Sequence, residues 1–234
     1  MPNSQATTQA GPKDLLLLAA LDHVPFDGWS PITFGAAIAD SDVEPTVANS
    51  VCPRGAVDLA ILYHERGDEM MLASLAQADL EGMKFRDRVA AAVRFRMEVV
   101  EDKEVVRRGT TLFALPMYAA DGAKAIWGTA DAIWNALGDT SEDVNWYTKR
   151  ATLSGVYSAT VLYWLGDTSE DHAETWAFLD RRIENVMQIE KLKAQVNASP
   201  ILSKIMAGPT WLMGHVKAPQ RAPQSGLPGR WNGF

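Results

Sequence analysis

Apolar positions recur three and four residues apart along most of the chain, the spacing that lines one face of an α-helix, and no stretch alternates with period two for long enough to demand a strand. The predicted fold class is all-α. A first helix is predicted over about 13–24, broken in Pro25-Phe26-Asp27-Gly28-Trp29. Ser30 then caps a short helix with Pro31 at its first position, where the amide that proline lacks would have been free anyway. Asp40 to Val43 reads as a turn, and 44–51 as a third short helix before Pro53. A longer helix runs from Ala56 into 70–75, with Leu59, Leu62, Tyr63 and Met70 turned inward. Val89, Val93, Met97 and Val100 stripe the next one. Its Arg86, Arg88, Arg94 and Arg96 fall elsewhere on the wheel and form a solvated or acid-paired face. Residues 104–115 look helical up to Pro116. Ala123, Ile126, Ala130, Ile133 and Leu137, flanked by Trp127 and Trp134, mark a helix over 118–137.

The two helices that follow are introduced by one hexapeptide used twice: Gly138-Asp139-Thr140-Ser141-Glu142-Asp143 returns as Gly166-Asp167-Thr168-Ser169-Glu170-Asp171. It reads as a stop followed by a start. The glycine is free to take the left-handed conformation that ends a helix, Thr and Ser oxygens cap the next helix's amides, and the acids suit its positive end. Val156, Tyr157, Val161 and Trp164 stripe the first of these helices, and Trp176, Leu179, Ile183 and Met187 the second. The adjacent Trp146 and Tyr147 cannot both point into one core. They form either an exposed interface anchor or an aromatic wedge under the preceding loop.

Charge changes the picture at the C-terminal end. The net charge of −7 argues against general nucleic-acid affinity. All 29 acids and 16 of the 22 Lys/Arg lie in residues 1–190, while 191–234 carry six basic residues and no acid. A basic end on an acidic body suggests an anionic surface as its partner. Within it, Ile201, Leu202, Lys204, Ile205, Trp211, Leu212 and Lys217 make a broken amphipathic helix with a basic edge. That pattern fits membrane-surface binding, or else a last helix packed on the body. No apolar run approaches the ~20 residues needed to span a bilayer. The division expected is a disordered leader over 1–12, a helix-turn-helix-like unit over 13–56, a helical body over 57–197, the amphipathic helix over 198–217 and a flexible tail over 218–234. The single cysteine, Cys52, suits a reducing compartment. The polar leader is neither a secretory signal nor an arginine-rich presequence, so a bacterial cytoplasmic protein is expected.

Catalysis needs a constellation, and none assembles. His23, His64, His172 and His215 are scattered, with no Glu-x-x-His pair for a metal site, no phosphate-cradling glycine loop and no nucleophile elbow. Neither a metal nor a cofactor is expected, and the chain reads as a non-enzyme. Eight tryptophans and nine methionines suit a cavity for a greasy ligand, with Trp127, Trp134, Tyr157, Val161, Trp176 and Leu179 as its candidates, though on sequence alone such aromatic and branched positions are more often plain core.

Asp143-Val144-Asn145-Trp146-Tyr147-Thr148-Lys149-Arg150, followed by Glu174-Thr175-Trp176-Ala177-Phe178-Leu179-Asp180-Arg181-Arg182-Ile183, resembles the ubiquinone (coenzyme Q) biosynthesis accessory family called Coq-nine, from about Lys13 onward. The resemblance implies a TetR-repressor-like bundle that holds a phospholipid or an isoprenoid quinone intermediate, here on the six residues just named. It implies a partner-binding patch at Asp143, Trp146, Tyr147 and Arg150 with Ile133 and Leu137, whose partner is the di-iron demethoxyubiquinone hydroxylase. It also implies a homodimer, peripheral on the inner face of the bacterial inner membrane. The alternative is a TetR-type lipid-sensing regulator. Against it, residues 13–56 hold six acids to Lys13 and Arg54, a balance that repels a duplex.

Overall fold

The computed structural model describes residues 11–198 and Ala218, so the leader and the predicted membrane helix, with Ile201, Leu202, Lys204, Ile205, Trp211, Leu212 and Lys217, lie outside the described residues. Every described element is helical: α1 (Pro12–Leu21), α2 (Val24–Asp27), α3 (Pro31–Asp40), α4 (Pro45–Val51), α5 (Ala56–Gln77), α6 (Phe85–Glu98), α7 (Lys103–Phe113), α8 (Ala119–Ala136), α9 (Val144–Gly166), a 3-10 turn (Glu170–His172) and α10 (Ala173–Ala198). The starts follow local chemistry. Ser30 Oγ accepts from the Thr33 amide at 3.3 Å ahead of Pro31, and Asp102 Oδ1 accepts from the Glu104 amide at 2.7 Å ahead of α7.

Two apolar clusters fill the molecule. Leu16, Leu17 and Ala20 of α1, Phe34 and Ala37 of α3, Ala48 of α4 and Leu59 of α5 meet Val105 and Leu112 of α7. Met71 and Leu75 at the far end of α5 join Val89, Val93 and Met97 of α6, Ala130 and Ile133 of α8, Leu153 to Leu165 of α9, and Leu179 and Ile183 of α10. The long α5 passes through both, so it ties the helix-turn-helix-like unit to the body, while α8 packs on α9 and α9 on α10.

Three expectations are corrected. The predicted break at 25–29 contains the one-turn helix α2, which Gly28 ends at φ 65°. On α5 the inward methionine is Met71, fully buried, whereas Met70 is 48% exposed. The buried stripe runs through Gly67, where a Cβ would meet the Arg96 guanidinium at 2.5 Å. A stripe interrupted by a glycine is invisible to apolar counting. For the same reason Arg96 is acid-paired, to Asp68 at 2.6 Å, but not solvated like Arg86 and Arg94. It fills the space that Gly67 leaves and is 4% exposed.

Candidate functional site: a cavity and an aromatic face

A cavity of about 410 Å³ lies where the two clusters meet. Its walls are Ala60 and Tyr63 of α5, Met97 of α6, Val105, Val106, Gly109, Thr110 and Phe113 of α7, Gly122, Ala123 and Ile126 of α8, and Tyr157, Val161 and Trp164 of α9, with Trp29 from the α2–α3 link. Small residues let helices converge without filling the space between them. A Cβ on Gly122 would sit 2.6 Å from Phe113 Cβ. The size and the largely apolar lining are those of a small-molecule site with few polar anchors.

The polar anchors gather at one wall. Arg96 donates from Nε to Asp68 Oδ1 at 2.6 Å and from Nη2 to the His64 carbonyl at 3.0 Å. Thr129 Oγ1 lies 2.8 and 3.0 Å from the two Asp68 oxygens, so its proton goes to that carboxylate. His64 Nε2 faces Thr129 Oγ1 at 2.8 Å and the Ala125 carbonyl at 3.2 Å, both of which can only accept, so Nε2 carries the imidazole proton. Burial, with Arg96 adding to it, pulls the His64 pKa down to about 4, which leaves the ring neutral at physiological pH. Tyr157 is 6% exposed and lines the cavity, and among the described residues its hydroxyl has no hydrogen-bond partner. Burial raises its pKa, which keeps the proton on that oxygen.

The second feature surrounds the first hexapeptide. Gly138, at φ 82°, ends α8 in a Schellman arrangement, with the Gly138 amide on the Asn135 carbonyl at 3.1 Å and the Asp139 amide on the Trp134 carbonyl at 2.9 Å. Asp143 Oδ1, rather than Thr or Ser, caps α9 by accepting from the Asn145 amide at 2.9 Å. Asp139 is buried and accepts from Lys149 Nζ at 2.8 Å, Arg150 Nη1 at 2.9 Å and Ser141 Oγ at 2.8 Å. Burial alone would raise its pKa, but the bonds from Lys149, Arg150 and Ser141 outweigh it and hold the carboxyl below the usual range. Arg150 also reaches the Trp146 carbonyl at 3.1 Å and lays its guanidinium 4.0 Å from the Trp146 ring centroid. Trp146, Tyr147 and Trp127 form one aromatic cluster, with centroids 4.8 Å apart for Trp146–Tyr147 and 5.9 Å for Trp127–Trp146. Both Trp146 and Tyr147 are half-buried. The Ala218 amide donates to the Glu142 carbonyl of this same turn at 3.0 Å.

Of the six residues assigned to a lipid, the structure brings Tyr157 and Val161 to the cavity. Trp127 is in the aromatic cluster, and Leu179 is buried in the second core. Trp134 donates to the Lys149 carbonyl at 3.1 Å and stacks on Phe85 in a separate groove of about 250 Å³. Trp176 donates to the Asp171 carbonyl at 2.8 Å under the Arg94 guanidinium. Of the partner patch, Asp143 is exposed, and Leu137, Trp146 and Tyr147 are half-exposed. Ile133 and Arg150 are 0% exposed and offer a partner no surface, which corrects their assignment as contact residues. Sequence reading missed the α7 wall and the His64–Asp68–Arg96–Thr129 cluster. The only signal for the cluster was the pairing of a glycine on α5 with an arginine on α6.

Residues 119–190, which cover α8, α9 and most of α10, match the COQ9 family model. The chain is 30% identical over 192 residues to the mitochondrial ubiquinone biosynthesis protein COQ9 of Rattus norvegicus, a match covering 79% of this chain and 61% of that protein. It is 32% identical over 187 residues to the Drosophila melanogaster protein of the same name, covering 77% and 56%. The chain thus spans under two thirds of the length of these relatives. A TetR transcriptional regulator from Nitrosomonas europaea shares the fold at a TM-score of 0.60 and 17% identity, covering 74% of this chain and 95% of that one. The hexapeptide-flanked helices that carry the aromatic face and one wall of the cavity are the part of the chain the family model covers, and the chain belongs to the COQ9 family.

Proposed function

We propose that this protein is a non-catalytic accessory factor of ubiquinone biosynthesis that holds a phospholipid or an isoprenoid quinone intermediate in the α5–α9 cavity and presents it to the di-iron demethoxyubiquinone hydroxylase at a membrane. The observation that carries this reading is the apolar cavity of about 410 Å³ in a COQ9-family chain. An isoprenoid tail needs such shelter, since each methylene withdrawn from water is worth ~0.8 kcal/mol. The half-exposed Trp146 and Tyr147, with Leu137 and Asp143, supply the kind of aromatic anchor that protein interfaces favour. The basic segment 191–234 supplies the charge that an anionic leaflet attracts.

Native mass spectrometry of the purified protein, followed by organic extraction, tests the cavity. A co-purifying lipid or quinone supports the reading, and empty protein that shifts a promoter fragment replaces it with the regulator. For the face, Trp146→Ala combined with Tyr147→Ala is expected to abolish capture of the hydroxylase while costing about 1–3 kcal/mol of stability, because the pair is half-buried against Trp127. Capture that survives in the folded variant removes the face from the proposal.

A further inference from the structure

We propose that the segment Pro219–Pro223 lies in polyproline II conformation across the aromatic face of Trp127, Trp146 and Tyr147, so that the chain carries its own cover for the surface it offers a partner. That the face is a partner's surface rests on the reading above, whereas the cover itself does not. Ala218 places the segment. Its amide donates to the Glu142 carbonyl at 3.0 Å, one residue ahead of the Asp143 cap of α9, and Trp146 and Tyr147 stand in the first turn of that helix. The next residues are Pro219-Gln220-Arg221-Ala222-Pro223. Prolines four apart favour the extended polyproline form, which rises ~3.1 Å per residue, so these five residues span roughly 12 Å. The face is of that breadth, with the Trp127 ring centroid 5.9 Å from Trp146 and 6.5 Å from Tyr147.

The face is built to take such a segment. Three half-exposed aromatic rings from two helices make a ridged apolar platform on which proline rings pack, and a polyproline backbone, having no internal hydrogen bonds, keeps its carbonyls available to donors. Two indoles supply those donors. Trp29, Trp134 and Trp176 each donate from Nε1 to a backbone carbonyl, whereas Trp127 and Trp146 make no hydrogen bond through Nε1 among the described residues. Charge agrees. Glu142 and Asp143 are exposed at the turn, Lys149 and Arg150 beside it are committed to Asp139, and Arg221 belongs to a stretch with six basic residues and no acid. Proximity selects this segment over a second copy or a free proline-rich peptide. Residues that follow directly on a pinned Ala218 meet the face at an effective concentration on the order of millimolar or above, which fills a weak site that dilute partners leave empty.

Fluorine NMR of the whole chain labelled with 5-fluorotryptophan tests the cover, the two signals of interest being assigned through Trp127→Phe and Trp146→Phe. Wild type is compared with a variant that combines Pro219→Gly, Arg221→Glu and Pro223→Gly. Broadening by a soluble gadolinium chelate is expected to be several-fold stronger at Trp127 and Trp146 in the variant, with both signals shifted, while those of Trp29 and Trp164 stay in place and report an intact fold. Equal broadening of the two indoles in both proteins overturns the cover. Protection that fades on dilution of wild type assigns the face to a second copy's segment and overturns it as well. The consequence is read as capture of the hydroxylase, which the variant is expected to achieve at about fivefold lower concentration, since a cover in place on roughly four molecules in five lowers the apparent affinity by that factor. Protected indoles with equal capture by both proteins overturn the claim that the cover stands in a partner's way. Capture by neither protein removes the hydroxylase from the function proposed above, and the cover then stands or falls by the NMR comparison.

Discussion

Arg150 shows what one buried charge is for in this molecule. It is fully enclosed, bonded to Asp139 and the Trp146 carbonyl, and stacked under the Trp146 ring, so it sets where that aromatic stands without itself meeting solvent. Arg150→Met leaves Asp139 ionised in the interior with Lys149 as its remaining cation. Loss of ~3 kcal/mol is expected from the urea midpoint, at the low end for a broken buried pair because Lys149 stays bonded. Gly67 is the complementary case: Gly67→Ala drives a methyl to 2.5 Å from a guanidinium pinned by Asp68 and His64, and ~1–3 kcal/mol of overpacking is expected in the melting curve. His64 titrates against the fold. Its folded pKa of about 4 lies below its unfolded value near 6.5, so the unfolded chain binds the extra proton first. Stability is therefore complete above about 6.5 and falls as pH drops toward 4, by on the order of 3 kcal/mol. A His64→Gln variant measured across that range is expected to lack this part of the decline.

The hexapeptide pair carries the lesson at the scale of elements. One sequence makes two different junctions, because its glycine is left-handed at 138 and still helical at 166. Gly138→Ala is expected to cost roughly 1 kcal/mol or more, through strain at φ 82°. Gly166→Ala, with nothing within 4 Å of the new methyl, is expected to gain a few tenths to ~1 kcal/mol. Opposite signs in two thermal melts confirm the asymmetry. The shared feature is instead the second residue: Asp139 and Asp167 each bond the serine two residues on and reach a side chain of the next helix, Lys149 and Arg150 in one case and Thr175 in the other. Element type and order were legible in the sequence because stripes, Ser30-Pro31 and the hexapeptides are local signals. Met70 was misplaced because the stripe it interrupts depends on an arginine from another helix. The tryptophans were legible as inward-facing but not as to what they face. Periodicity gives a direction on one helix, whereas a cavity is what five helices jointly fail to fill. Trp134 and Trp176 are taken out of it by indole bonds to the backbone of Lys149 and Asp171, which no spacing announces.

At the scale of the whole molecule, the two apolar clusters meet along α5 and α7, and the cavity sits at that seam. The α7 wall is fastened unevenly. Near its start, Lys103 Nζ bonds the Trp164 and Asp167 carbonyls at 3.0 and 3.1 Å, and Arg107 Nη2 bonds the Leu165 carbonyl at 2.7 Å, so two cations close off the C-terminal end of α9. Arg108 bonds the Pro25 carbonyl at 2.9 Å. Toward its end the helix offers Thr110, Phe113 and Ala114 to the cavity and then runs into Leu115 and Met117, both exposed. Hydrogen exchange is expected to be faster over 113–118 than over 106–110. The ties made by these three cations therefore lie at the start and middle of α7, and its far end is held by the close packing of Phe113 on Gly122 of α8, a fastening of grease rather than charge.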